Sequence, residues 1–396
     1  MDVTGMCRRV ALSKTPLTGR QVSKSVASVS RRSGRCARSR VVATAAKPPS
    51  MQPSATELES LEELSIVVPD TLILEETSPV GTPKAATVTP NVLAGILSSP
   101  SGMRQYKNAV ENAKTFDKDP ERQLSKALAN VGALFAEKVE GRVATEVDPR
   151  LARDTDAMVE NARTLVAMYK EMAVPSEKTI IQLPATWEGI QAAKQLEKEG
   201  INTVVFLVYS LIQGIAAAQA GVSVIQTNMG RVKQWYNSHP GVIRDPKGPR
   251  EDSGCASGVH PGQQLAASVY AYCKAHHPNT LVMVSGVRTK EDAISVAGCD
   301  YIILGPKVLK SLSESPTAQG YNDGLSAQTT SGGIPRALEA SPPGLAPVKA
   351  TMVTREEFEE GLGLAAKDLL KQGLDGSVSD LERLLPTFTG MTVGTE

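Results

Sequence analysis

The chain has 396 residues, 41% apolar and 21% charged, enough for one large domain or two ordinary ones. Aromatic residues make up only 4%, so Val, Ile, Leu and Ala carry the apolar load, which favours α/β packing over an aromatic-rich β-sandwich. The formal net charge of +1 is unevenly spread: residues 1–47 hold eight Arg and three Lys against one acid, Asp2, leaving 32 basic and 41 acidic residues in the remainder, about −9. A body that acidic argues against nucleic acid as a partner. No apolar block is long enough for a secretory core or a membrane span.

In chain order, residues 1–47 are Arg-rich, Ser-rich and poor in acids, the composition of an organelle transit peptide rather than of a nucleic-acid-binding arm, which would carry Lys blocks or aromatics. The stretch RCARSRVVATAA places processing near residues 42–46, with the chloroplast stroma expected ahead of the mitochondrion. The five cysteines form no CxxC pair and no metal-like cluster with the four histidines. Cys255, Cys273 and Cys299 are therefore expected to be free thiols. Residues 48–56 read as a linker and 57–64 as a short helix.

Short β-branched runs then recur: SIVVPD (65–70), ATVTP (86–90), RVATEVD (142–148), TIIQLP (179–184), TVVFLVY (203–209), VSVIQTN (222–228), LVMVSGV (281–287) and YIILGP (301–306). Most are nearly continuous in apolar character, as strands buried on both faces must be. Helical patterns lie between them, among them 119–138 and 150–172, and Thr186 and Gly200 bracket a third as cap and stop. Eight such strands alternating with helices predict a single (β/α)8 barrel over 57–314. A doubly wound open sheet is the alternative, but no glycine-rich nucleotide loop follows the first strand. Residues 315–350, rich in Gly, Ser, Pro and Thr, read as a flexible loop. Residues 351–396 read as C-terminal helices packing on the barrel, placed at 354–372 and 377–385.

In such a barrel the site lies at the C-terminal ends of the strands. Those ends carry Asp70, Thr87, Thr89, Glu146, Gln182, Phe206, Tyr209, Gln226, Asn228 and Arg288, with Arg231 and Lys307 just beyond. An Asp and a Glu converging in a partly dry pocket can divide acid and base roles. Equally, Asp70 and Glu146 can form ion pairs with Arg142 and Arg150 at the rim. Arg231 and Arg288, near helix starts on neighbouring loops, suit a phosphate monoester, or are solvated surface arginines.

GRVATEVDPRLARDT (141–155), ATWEGIQAAKQLEKEGIN (185–202), GRVKQWY (230–236) and AGCD (297–300) closely resemble the transaldolase family. The resemblance runs over about residues 57–313 and the last helices, with an atypical loop between them. It implies a barrel lysine that forms a Schiff base with a keto-sugar phosphate and passes a dihydroxyacetone unit to an aldose phosphate, with no cofactor. It also implies sugar phosphates as partners and a homodimer as the assembly. Matched by position, the family's aspartate falls on Asp70, its glutamate on Glu146, one threonine on Thr87, and its phosphate-holding arginines on Arg231 and Arg288. The family's lysine, however, falls on Gln182 in IIQLPATW. An asparagine becomes Thr89, an asparagine and a threonine of the fifth strand become Val204 and Phe206, and serines become Gln226 and Gly286.

A carboxamide nitrogen is not basic, so Gln182 supplies no nucleophile for an iminium. Three functions follow as expectations. The first is a sugar-phosphate-binding relative without normal turnover. The second is an active transaldolase (sedoheptulose 7-phosphate and glyceraldehyde 3-phosphate to erythrose 4-phosphate and fructose 6-phosphate) drawing on Lys307 as an alternative amine or on the substrate. The third is a lysine-independent isomerase or lyase using Asp70 and Glu146. Lys307 has a competing reading, a solvent-facing residue in a helix started by Pro306.

Overall fold

Eight short parallel strands form the centre of the protein, and each is followed in sequence by helical segments that return the chain to the start of the next. A computed structural model describes residues 56–71, 73, 78–240, 260–316 and 352–389. The expected leader, the linker up to residue 55, Cys255 and the loop beyond residue 316 lie outside them. The strands are β1 (Ile66–Pro69), β2 (Ala85–Val88), β3 (Arg142–Glu146), β4 (Thr179–Pro184), β5 (Thr203–Val208), β6 (Val224–Asn228), β7 (Leu281–Val287) and β8 (Tyr301–Leu304). Their order is β1-β8-β7-β6-β5-β4-β3-β2, and β1 and β2 lie side by side without a ladder between them. Sequential neighbours all the way round make a nearly closed (β/α)8 barrel and rule out the doubly wound alternative, whose strand order reverses at a switch point.

The strand runs fold this way because both faces are buried. In β4 all six residues are buried. Ile181 and Leu183 point outward among Ile190, Ala193 and Leu196 of the helix Trp187–Lys198. Burying one such side chain stabilises the fold by roughly 1.5–3 kcal/mol. Inward, Val68, Ala144, Ile180, Val204, Val224 and Ile303 close the floor of the barrel. The Thr-Trp-Glu-Gly motif after β4 has a local reason. Thr186 Oγ1 accepts from Gly189 N at 2.9 Å and donates to Ala152 O at 2.7 Å. A Cβ on Gly189 would stand 2.1 Å from Pro184 O, so only glycine permits that turn. Gly200 ends the helix at φ +85°, as expected of a left-handed stop.

Two irregularities fall at the mouth. Leu207 has φ +61°, an uncommon conformation for a non-glycine residue, and the β5–β6 register shifts between Val205 and Val208. Buried Gln213 holds this bulge: its Nε2 donates to Ala185 O (2.8 Å) and Leu207 O (3.3 Å), while its Oε1 accepts from Tyr209 N (2.9 Å) and Ser210 N (3.0 Å). The β7–β8 register also shifts between Val284 and Val287, and Gly286 there has φ +72°.

The C-terminal segment differs from its expected boundaries. A helix at Arg355–Gly361 is followed directly by one at Gly363–Thr389, with the break at Gly363 (φ +69°) rather than between residues 372 and 377. The expected helix at 150–172 likewise begins as a 3-10 turn, Pro149–Leu151, before Thr155–Glu171. Within the long helix Gly373 and Gly376 do different things. A Cβ on Gly373 would stand 2.9 Å from Leu207 Cδ2 and 3.3 Å from the Tyr209 hydroxyl, whereas one on Gly376 would meet nothing within 4 Å. Gly376→Ala is therefore expected to stabilise the protein by about 0.5–1 kcal/mol through helix propensity. Gly373→Ala, which gains the same propensity but forces Leu207 aside, is expected to lower the melting temperature. Thermal melts of the two variants check the contrast.

Candidate active site

One inward position beyond the apolar floor, the strands present a different layer: Asp70, Thr87, Glu146, Gln182, Phe206, Gln226 and Ser285. Cα register pairs Glu146 with Gln182 and Gln182 with Val204, so the amide sits between an acid and an aliphatic side chain. Glu146 and Gln182 are each 3% exposed, and Val204 and Phe206 are also buried. Thr87, Gln226 and Asn228 are half-buried. No inward strand position carries a lysine. Lys307 is exposed in the first turn of the helix Pro306–Glu314, and β7, β6 and β5 separate its strand from that of Gln182.

The rim arginines do not hold Glu146. Arg150 pairs with Asp148 and Glu121 at 2.5 and 2.6 Å, and Arg142 Nε donates to Glu177 O at 3.1 Å. Burial without a cation pushes the Glu146 carboxyl up to about 8; a hydrogen bond from Ser377 opposes that rise, and the charges of Asp380 and Asp148 add to it. Asp70 opens to solvent at the end of β1, yet the surrounding protein displaces enough water to raise its pKa. Both carboxyls are thus biased toward the protonated form.

Thr89 is occupied locally. It is the N-cap of the helix Pro90–Ser98, its Oγ1 accepting from Val92 N at 3.2 Å. Asn228 caps the helix Met229–Ser238, its Oδ1 accepting from Arg231 N at 3.0 Å. A Cβ on Gly286 would stand 2.1 Å from that same Oδ1, and one on Gly230 would stand 2.2 Å from Gly286 O and 3.3 Å from Arg288 Nε. The two glycines let the ends of β6 and β7 touch, which brings Arg288 over the helix start that carries Arg231. Arg288 Nη2 donates to Gln234 Oε1 at 2.9 Å, and both arginines are exposed with no carboxylate partner among the described residues. Arg231 also lies beside the Tyr209 hydroxyl, which burial pushes up to about 12 against that attraction. Two guanidinium groups thus stand at one helix N-terminus, an arrangement whose charge and donors suit an anion.

The sequence did not show where the last helix crosses the barrel. The helix Gly363–Thr389 crosses from the Met229–Ser238 helix, over the end of β5, to the helices Pro90–Ser98 and Pro120–Ala136. Through it the Ser377 hydroxyl and the Asp380 charge bear on the protonation of Glu146, and nothing local to GSVSD signals it. Gln213 was findable, since Ser210 and Gln213 have capping-box spacing. Among the described residues no His, Cys, Asp and Glu group is arranged to hold a metal, and no helix is long and apolar enough to cross a membrane. Cys273 and Cys299 are free and buried, and burial raises both thiols.

Residues 69–387 match the model of the transaldolase/fructose-6-phosphate aldolase family. A "Probable transaldolase" of Dictyostelium discoideum is 35% identical over 289 residues, covering 72% of this chain and 86% of its own. "Transaldolase A" of Escherichia coli (strain K12) is 35% identical over 266 residues, 65% of this chain and 79% of its own. A family model matched over most of the chain and relatives 35% identical along most of their own length make this chain a member of the transaldolase/fructose-6-phosphate aldolase family.

Proposed function

We propose that this protein binds sugar phosphates in its barrel mouth and does not process them through a Schiff base. The observation that carries the reading is Gln182, buried between Glu146 and Val204 in a barrel whose inward strand positions hold no lysine. A Schiff-base route needs an amine that becomes nucleophilic when its pKa falls, and an amide has no such state. Val204 and Phe206 replace further polar contacts at the carbonyl end, while the arginine corner remains at the other end. The Arg-rich leader composition supports a plastid stromal setting.

Borohydride trapping with fructose 6-phosphate tests the reading. Saturable binding with no covalent adduct is expected; an adduct on any lysine, Lys307 included, would overturn it. Arg231→Ala and Arg288→Ala are each expected to weaken fructose 6-phosphate binding about tenfold or more, the usual effect of losing a charge-assisted hydrogen bond. Unchanged affinity in calorimetry would refute the phosphate corner. One observation favours a second reading, a lysine-independent isomerase or lyase. The raised pKa values of Asp70 and Glu146 suit proton transfer, and isomer or cleavage products appearing without an adduct would select it.

A further inference from the structure

One carboxylate joins the elements that carry the two arginines. Asp292, in the first turn of the helix Lys290–Ser295, is 8% exposed. Its Oδ2 accepts from the backbone N of Arg288, just past β7, at 3.3 Å. Its Oδ1 lies 3.5 Å from Nζ of Lys233, on the helix Met229–Ser238 that also carries Arg231 and Gln234. The same Oδ1 lies 3.7 Å from His260 Nε2. His260 caps the helix Pro261–His276: its Nδ1 accepts from Gly262 N at 3.1 Å and Gln263 N at 3.2 Å. An accepting Nδ1 leaves the ring proton on Nε2, the nitrogen nearer Asp292. The helix starts are in close contact there, since a Cβ on Gly262 would stand 2.2 Å from Met229 O.

We infer that Asp292 is a positioning residue for the two arginines: its carboxylate fixes the Arg288 backbone against the helix that carries Arg231. One oxygen grips Arg288 and the other faces Lys233 and His260, so the acid spans the end of β7 and two helices. The Arg288 side chain is held to the same helix, with Nη2 donating to Gln234 Oε1 at 2.9 Å. The inference rests on the sugar-phosphate reading in one respect, that the ligand of the arginines is an anion. This makes its test a matter of sign. An acid bonded to the backbone of an anion-binding arginine opposes the anion by charge, so losing a mere charge would tighten binding. Losing the group that places Arg288 would loosen it, because guanidinium hydrogen bonds are directional.

Calorimetry with fructose 6-phosphate on the full chain, beside hydrogen exchange of the Arg288 amide in the free protein, tests this. In wild type that amide is expected to exchange about tenfold more slowly than in an unstructured peptide, or slower still. Asp292→Ala is expected to remove the protection and to weaken binding about fivefold or more. Asp292→Asn keeps an acceptor for the amide and loses the charge, so it is expected to stay protected and to bind at least as tightly as wild type. Thr289→Ala removes the hydroxyl that accepts from Asp292 N at 3.1 Å but leaves Oδ2 in place. It is expected to lower the melting temperature without weakening binding. An unprotected Arg288 amide in wild type, unchanged or tighter binding in Asp292→Ala, or an Asn variant as weak as the Ala variant would overturn the inference. The wild-type amide and the Asn variant decide the matter even if Asp292→Ala does not fold. Should Arg288→Ala leave affinity unchanged, or fructose 6-phosphate not bind at all, the sugar-phosphate reading fails. The exchange comparison then decides alone whether Asp292 fixes Arg288.

Discussion

Gln182→Lys is expected to make the protein trappable by borohydride and fructose 6-phosphate without making it fast. Residue 182 already points to the barrel centre and is 3% exposed, so a lysine there meets the two conditions for an activated amine, burial and an adjacent acid, Glu146, to exchange protons with. The neighbouring positions hold the rate down. Val204 is the register partner of residue 182, and Phe206 is paired with Pro184 at the same end of β5. Neither offers a hydrogen bond to a sugar hydroxyl, and each missing contact costs roughly 1–3 kcal/mol. Restoring Val204→Asn and Phe206→Thr on top of Gln182→Lys is therefore expected to raise turnover by a further 10- to 10³-fold or so. Single-turnover rates of the three proteins, with melting curves as a check on folding, decide it. A single Gln182→Lys variant as fast as the triple variant would show that the carbonyl end of the pocket was never altered in substance.

Gln182, the residue that experiment targets, is legible in the sequence for a physical reason. The strand ends were readable because β-branched runs buried on both faces leave a polar residue nowhere to hide. Asp70, Glu146 and Gln182 stood out in apolar stretches, and register then placed the last two side by side. Helix starts were readable through side-chain caps such as Thr186, whose hydroxyl accepts from Gly189 N. Where tertiary contact overrides local preference, the sequence misled. Gly373 and Gly376 look like a helix break, yet the helix runs through them because one glycine is needed against Leu207 and the other is carried along. Leu207 is the reverse case, a bulky residue in a left-handed conformation that no propensity anticipates and that Gln213 maintains. The partners of Glu146 were also misplaced. Arg142 and Arg150 were the near candidates, but carboxylates and a carbonyl closer to the surface engage them, and Glu146 is left without a cation.

The consequence for Glu146 is measurable as stability. Its folded-state pKa is raised from 4.5 to about 8, chiefly by burial, so between those values the folded protein holds a proton that the unfolded chain has released. Stability from this source is fully present below about pH 4.5 and is lost as pH rises toward 8, with a limiting slope of about 1.4 kcal/mol per pH unit. Glu146→Gln keeps the shape and the hydrogen-bonding capacity of the neutral acid but cannot ionise. The variant is accordingly expected to match wild type near pH 5 and to melt progressively higher than wild type up to pH 8, by on the order of 2–4 °C per pH unit. Asp70 titrates in the same direction in both proteins and cancels from the difference. Parallel melting curves across this range would mean that Glu146 is ionised at neutral pH, held by a charge outside the described residues. The same measurement on Gln182→Lys closes the loop between the two experiments. An ammonium in register with Glu146 supplies the missing counter-charge, draws the acid's pKa down and flattens the pH dependence. The amide at 182 therefore differs from a lysine in two ways that these experiments read: it offers no amine nucleophile, and it gives the neighbouring glutamate no counter-charge.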